Sequence, residues 1–248
     1  MSGLRWTLAV VFLALPGMAV AQGLPALTLT ENADGGTTYS LSFQILMLMT
    51  ALTVLPSIVL GMTAFTRIII VLSILRQALG TQQTPPNQVL VALALFLTFF
   101  VMQPTMTQFY EQALGPYLDG QMPADQAIET GTRIIKAFLI ENTRQNDLMM
   151  FQQLAGDGPY ANQDEVPLSV LLPAFITSEL KTAFQIGFLI FLPFLVIDMV
   201  VASILMALGM MMLSPMLVSL PIKLLLFVLV DGWALTVGSL AATYGVGG

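Results

Sequence analysis

The sequence has 248 residues, of which 56% are apolar and only 9% are charged, and its formal net charge is −6. Soluble proteins carry about 25% charged residues, so this composition excludes a soluble globular protein and indicates a membrane protein. Cysteine and histidine are both absent, which excludes zinc ribbons, disulfide frameworks and enzymes that use a Cys or His nucleophile or base. The acidic balance also argues against a nucleic-acid-binding protein, because phosphate contacts need a basic surface.

The N-terminus has the pattern of a cleavable secretory signal. A short basic start and an apolar stretch precede Ala19 and Ala21, which place small side chains at the two positions that signal peptidase reads. We predict a signal peptide over residues 1–21, cleavage before Gln22, and an extracytoplasmic segment over residues 22–43. The alternative is an uncleaved first membrane helix, which the shortness of the apolar stretch disfavours.

Four apolar windows of membrane-spanning length follow the signal. They cover residues 45–62, 89–102, 183–208 and 222–242. The first two windows belong to a hydrophobic hairpin over residues 44–103, in which Arg67 and Arg76 are isolated charges before a turn at Pro85 and Pro86. Bases collect on the cytoplasmic side of membrane proteins, so we interpret both arginines as orientation signals and place this tip in the cytoplasm.

Residues 104–182 are the part of the chain with soluble character. Ten acidic and four basic residues lie between positions 103 and 182, so the net charge of the chain is concentrated there. Apolar residues such as Phe109, Ala113 and Tyr117 recur at four-residue steps, and no stretch alternates for long enough to make a strand. We therefore predict an acidic α-helical domain outside the cytoplasm.

The last two windows form a second hydrophobic hairpin over residues 183–248. Four crossings from an extracytoplasmic N-terminus place its tip, near residues 214–223, in the cytoplasm and return the C-terminus to the outside. The predicted fold is an all-α membrane protein with four hydrophobic helical segments in two hairpins and an α-helical extracytoplasmic domain.

Two long blocks of the second half resemble a known family. Residues 173–188, PAFITSELKTAFQIGF, and residues 193–215, PFLVIDMVVASILMALGMMMLSP, resemble the two signature segments of the FliP family of flagellar export-gate proteins. Residues 65–102 and 223–240 are similar to the same family. The family includes SctR-like relatives in virulence injectisomes, but the signal peptide and the acidic domain are more similar to the flagellar branch.

The resemblance implies a core pore-forming subunit of the flagellar type III export gate. Such a subunit conducts unfolded flagellar proteins across the bacterial inner membrane, catalyses no reaction, and needs no cofactor. The family assembles in about five copies with FliQ and FliR into a helical pore complex of the flagellum basal body. FliO acts as an assembly factor, FlhB and FlhA are further subunits of the export apparatus, and the complex contacts membrane lipid.

A methionine run at Met210, Met211 and Met212 follows Gly209. The resemblance implies that this run, together with Met206, lines the narrow part of the pore. An unbranched thioether can fill a hole against ions and still yield to a passing polypeptide. The residues alone also allow a bland interpretation, in which the methionines fill gaps between helices and Gly209 is a site of close helix packing.

Five charged residues lie in or beside the apolar windows. They are Glu179, Lys181, Asp198, Lys223 and Asp231. An unpaired charge inside a membrane costs about 2.5–3.5 kcal/mol, so we predict ion pairs within the membrane or between subunits, for example between Glu179 and Lys223. The alternative is a relay for ions or protons through Asp198 and Asp231, which would make the chain a small-solute or ion transporter.

Overall fold

The computed structural model describes residues 27–31, 37–41, 43–81, 83–156, 158, 160, 162–210 and 212–245. The chain divides into two compact units, with the boundary between Pro56 and Ser57. The predicted signal peptide and its cleavage site lie outside the described residues.

The first unit contains a β-hairpin. Strand β1, Leu27–Glu31, pairs antiparallel with strand β2, Thr37–Leu41, so that Leu27 lies opposite Leu41 and Glu31 opposite Thr37. Threonine and tyrosine favour extended backbone, and Asp34-Gly35 in the intervening sequence is a hairpin-turn signal. The fold-class prediction did not include this hairpin, and the described residues after it are helical or in turns.

The helices in the described part of the chain follow in order. They are α1 (Phe43–Gly61), α2 (Phe65–Leu79), α3 (Asn87–Phe109), a π-helical turn (Tyr110–Leu114), α4 (Gly115–Leu118), α5 (Ala124–Glu141), α6 (Gln145–Ala155), a 3₁₀ turn (Gln163–Glu165), α7 (Leu168–Ala207), α8 (Pro215–Leu229) and α9 (Gly232–Ala242).

Among the described residues, two helical stretches, Asn87–Leu118 and Leu168–Ala207, are long and apolar enough to cross a membrane. The number rises to four if Ile45–Gly61 with Phe65–Leu79, and Pro215–Leu229 with Gly232–Ala242, are each counted as one bent span. Each of the four predicted apolar windows coincides with part of one of these stretches, and two windows extend one residue past a helix end. The helical and membrane-protein character of the fold class is therefore confirmed.

Continuous helices cross both predicted limits of the acidic segment. The limit after residue 103 lies inside α3, and the limit after residue 182 lies inside α7. At 1.5 Å per residue, the 40 residues of α7 extend over about 60 Å, whereas a bilayer core needs about 30 Å. One continuous helix thus links the acidic segment to the third apolar window.

Helix α2 lies at the centre of the second unit. Its side chains Ile68, Val71 and Leu72 are buried, and they belong to a core that includes Ala94 of α3 and Ala183 of α7. One turn further along α7, a β-carbon at Gly187 would overlap the side chain of Ile74. The absence of a side chain at Gly187 therefore allows α2 and α7 to pack closely.

The acidic segment packs on α3 and α7 through a second core. Phe138 and Leu139 of α5 contact Leu171 and Phe175 of α7, and Met102 of α3 completes the cluster. Phe138 and Phe175 have ring centroids 6.1 Å apart in a tilted arrangement. The acidic helices are thus attached to the apolar helices by an ordinary hydrophobic core.

Candidate functional site

The methionine run begins where α7 ends. Gly209 has a left-handed backbone, with φ 69°, and its N–H donates to the carbonyl of Met206 at 3.0 Å. The N–H of Met210 donates to the carbonyl of Leu205, also at 3.0 Å, which completes a typical glycine-terminated helix end. Among the described residues of this chain, no atom that could pack against a β-carbon at Gly209 lies within 4 Å, so the glycine ends the helix and makes no close helix contact within the chain.

The described methionines in the last turn of α7 and in the loop after it are exposed. Met206 is 62% exposed, Met210 45% and Met212 101%, whereas Met211 lies outside the described residues. We refer to residues 208–214, between α7 and α8, as the Met loop. Their exposed surface is available to another copy or a substrate, and their role in a pore stays a prediction.

A buried lysine connects three helices, α2, α7 and α8. Lys223 of α8 is only 3% exposed, and its Nζ donates to Asp198 Oδ2 of α7 at 2.5 Å and to the carbonyl oxygen of Ala78 at 3.0 Å. Ser219, one turn before Lys223, donates to the other carboxylate oxygen of Asp198 at 2.6 Å. Ala78 lies in the last turn of α2, where carbonyls lack helical partners and favour a cation.

This cluster gives Asp198 and Lys223 a structural role within one chain. Asp231, the second carboxylate of the relay alternative, instead precedes α9 and accepts from the N–H of Ala234 at 3.4 Å. The two carboxylates of the transporter interpretation thus have separate local partners.

A second polar cluster is centred on Glu179, which is fully buried. Arg67 of α2 forms a two-point ion pair with its carboxylate, and Nε lies 3.0 Å from Oε2. The Tyr244 hydroxyl donates to Oε2 at 2.5 Å, and the Arg67 guanidinium stacks 3.9 Å from the centroid of the Tyr244 ring. Arg67 also donates to Thr243 Oγ1 at 3.0 Å, so the segment after α9 is fixed to α2 and α7.

The Glu179 cluster corrects two sequence interpretations. A pair between Glu179 and Lys223 is not formed within the chain, because the packing of α2 on α7 places Arg67 at Glu179 and the packing of α8 on α7 places Lys223 at Asp198. Arg67 is more than an orientation signal, and Tyr244 was missed altogether. The sequence contained one signal for this cluster. Arg67 lies in an apolar helix, where a charged side chain requires a buried partner.

Burial raises the pKa of the Tyr244 hydroxyl well above its usual range, and the negative charge of Glu179 raises it further. The hydroxyl therefore remains protonated and available as a donor.

Arg76, the other isolated arginine, stabilises the turn between α2 and α3. It donates to the carbonyl of Pro85 at 3.2 Å and to Asn87 Oδ1 at 2.6 Å.

Lys181 fastens the acidic segment to α7. It pairs with Asp147 of α6, which is 2% exposed. Next to this pair, the backbone N–H of Arg144 donates to Ser178 Oγ at 3.0 Å, and its guanidinium donates to Thr182 Oγ1 at 3.0 Å. All of these contacts lie within one chain, and a role of these charges between subunits stays a prediction.

Comparisons with known proteins confirm the resemblance seen in the sequence. Residues 48–240 match the model of the FliP family. Over 243 residues the chain is 75% identical to the flagellar biosynthetic protein FliP of Cereibacter sphaeroides, with 94% of this chain and 80% of the relative covered. It is 53% identical over 240 residues to the protein of that name from Pectobacterium carotovorum subsp. carotovorum, covering 97% of this chain and 93% of the relative. It is 52% identical over 205 residues to the Bacillus subtilis protein of that name, with 83% of this chain and 93% of the relative covered.

Proposed function

The chain belongs to the FliP family, and we propose that it is a pore-forming subunit of the flagellar type III export gate, through which unfolded flagellar proteins cross the bacterial inner membrane. Its relatives are named flagellar biosynthetic proteins, which supports the flagellar branch over the virulence injectisomes. The observation that carries the pore proposal is the exposed Met loop at the end of a helix long enough to span the membrane.

The chemistry of the Met loop fits a deformable seal. Several copies of the chain around one axis would bring their Met loops together at a constriction. An apolar constriction can exclude water and ions by dewetting without a charged plug. Methionine side chains are flexible and polarizable, so they can separate when a polypeptide passes and close again afterwards. The left-handed Gly209 lies at the start of the loop, directly after the C-cap of α7.

The apolar surface of a single copy supports assembly with other subunits and lipid. On α3, Phe96 and Phe99 are 72% and 71% exposed, and on α7 Phe188 and Met199 are 61% and 63% exposed. Exposed apolar patches of this kind mark protein or membrane contacts. We propose about five copies in a complex with FliQ and FliR, assembled with the help of FliO next to FlhB and FlhA in the flagellum basal body. The subunit itself needs no catalytic group or cofactor.

The Met loop is tested by replacing Met210, Met211 and Met212 together with alanine. The proposal expects normal amounts of complex but an increased permeability of the cells to ions or small solutes, because alanine is too small to close the constriction. Replacement of Met149 and Met150, exposed methionines on α6, is the matched control and should cause no leak. A triple variant that assembles normally and stays ion-tight would remove the seal from the proposal.

Topology is tested with reporters. A fusion after Leu154 should be active outside the cytoplasm, whereas one near Thr81 should be active inside, with both mature termini outside. Mass analysis of the mature chain should show that it begins at Gln22, and a chain that retains Met1 would refute the signal peptide.

A further inference from the structure

An apolar groove lies on the acidic segment, between α5 on one side and the π-helical turn with α4 on the other. Its volume is about 430 Å³. Its lining includes small residues, Ala113, Ala127 and Gly131, and larger side chains, Leu114, Tyr117 and Ile128. Small residues beside large ones provide space for side chains of another helix, as holes do in helix packing.

The groove is a consequence of how α5 meets the end of α3. A β-carbon at Gly131 would lie 2.7 Å from Cε2 of Phe109, so the glycine lets α5 pack against the Phe109 ring. Directly after Phe109, the π-helical turn Tyr110–Leu114 widens the helix.

Large apolar side chains of the groove remain exposed in the single chain. The core-facing side of α5 is provided by Ile134, Phe138 and Leu139, which are buried. On the groove side, Ile128 remains 68% exposed, and Tyr117 is 45% exposed. The groove side of α5 thus keeps free apolar surface beyond its contact with Phe109.

Charges around the groove identify the kind of partner. Four exposed acids, Glu111, Asp119, Asp125 and Glu129, lie close in sequence to the residues that line the groove. Arg133 is the single base between residues 106 and 135. Asp125 and Glu129 are one helical turn apart on α5. An apolar surface bordered by this excess of acids is complementary to an apolar surface bordered by bases.

We propose that this groove binds an amphipathic helix of a partner protein, whose apolar side chains enter between Tyr117 and Ile128 and whose lysines or arginines face Asp125 and Glu129. A second copy of this chain fits the groove less well, because the chain has 14 acids against eight bases. The proposal concerns a face remote in sequence from the Met loop and does not depend on the pore.

The test measures the affinity of a fluorescent synthetic helix with leucine on one face and lysine elsewhere. The full chain is held in phosphatidylcholine nanodiscs, and fluorescence anisotropy is compared with that of empty nanodiscs. A peptide with the same leucine face and glutamate in place of lysine is the charge control. The lysine peptide is expected to bind at least about tenfold more tightly, with a difference that shrinks as salt is added.

Two variants locate the binding to the groove. Ala127→Leu adds a bulky side chain where the apolar side chains of the peptide enter, and should weaken binding by more than about tenfold. Asp125→Asn combined with Glu129→Gln alters only exposed groups, so it keeps the fold, and it should weaken binding about threefold or more. Leu154→Ala removes an apolar side chain that is 74% exposed on α6 and should leave binding unchanged.

Several results would overturn the proposal. Equal binding of the lysine and glutamate peptides would show that charge does not select the partner, and unchanged binding to Ala127→Leu would place the peptide elsewhere. A photo-crosslinking amino acid at position 128 reports the occupant in the purified chain. A product of twice the mass of the chain would mean that a second copy covers the groove.

Discussion

The Glu179 cluster allows a sharp test of what attaches the C-terminal segment to the helices. Tyr244→Phe removes only the hydroxyl that donates to Glu179 Oε2 at 2.5 Å and leaves the ring against the Arg67 guanidinium. A hydrogen bond to a charged group contributes about 1.5–3 kcal/mol, and its full loss is expected here because Glu179 has no exposed surface.

Glu179→Gln is expected to have a larger effect. It leaves the guanidinium of Arg67, a residue only 4% exposed, without a countercharge, and breaking a buried ion pair on one side costs about 3–5 kcal/mol. Arg67→Met together with Glu179→Gln removes both charges and should cost less than the sum of the single changes. This non-additivity separates a true ion pair from two independent packing defects.

The assay is the midpoint of thermal unfolding, measured in one detergent for all variants. For a unit of about 150–250 residues, 1 kcal/mol shifts the midpoint by about 2–4 °C, so Tyr244→Phe should lower it by about 3–12 °C. Tyr110→Phe, at a tyrosine that is 57% exposed, is the matched control and should change it by no more than about 2 °C. If Tyr244→Phe behaves like this control, the hydroxyl does not stabilise the cluster and the reasoning fails.

Three further predictions follow from the packing. Lys223→Glu should place two carboxylates together and reduce the yield of folded chain severalfold, and Asp198→Lys should restore part of it; a normal yield for the single variant would argue against the ion pair. Gly187→Ala should cost about 1–3 kcal/mol, because its β-carbon overlaps Ile74, and Ile74→Ala should recover part of the loss in a chemical denaturation series; purely additive costs would contradict the contact. Because the pKa of Tyr244 is raised in the folded chain, its proton stabilises the fold below about pH 10, and that stabilisation is lost as the pH rises further. The unfolding midpoint of the unchanged chain should therefore fall more steeply above about pH 10 than that of Tyr244→Phe, and parallel curves would exclude this linkage.

The amino-acid sequence by itself determined the membrane class, the helical character and the four apolar windows. These properties follow from composition and from periodicities of a few residues, which act locally along the chain. The long irregular blocks around Glu179 and Asp198 were sufficient to identify the family. The hairpin of β1 and β2 had a local signal as well, but its strands are too short to be distinguished reliably by alternation.

Tertiary structure alone decided which charges meet. Arg67 and Glu179 are 112 positions apart, and Glu179 and Tyr244 are 65 positions apart. By sequence, Glu179 was as suitable a partner for Lys223 as Asp198 was, because both acids lie on the same long helix. The contact of α2 with α7 at Gly187 and the position of α8 beside Asp198 select the pairs, since a buried charge must take the partner that packing places within hydrogen-bonding distance.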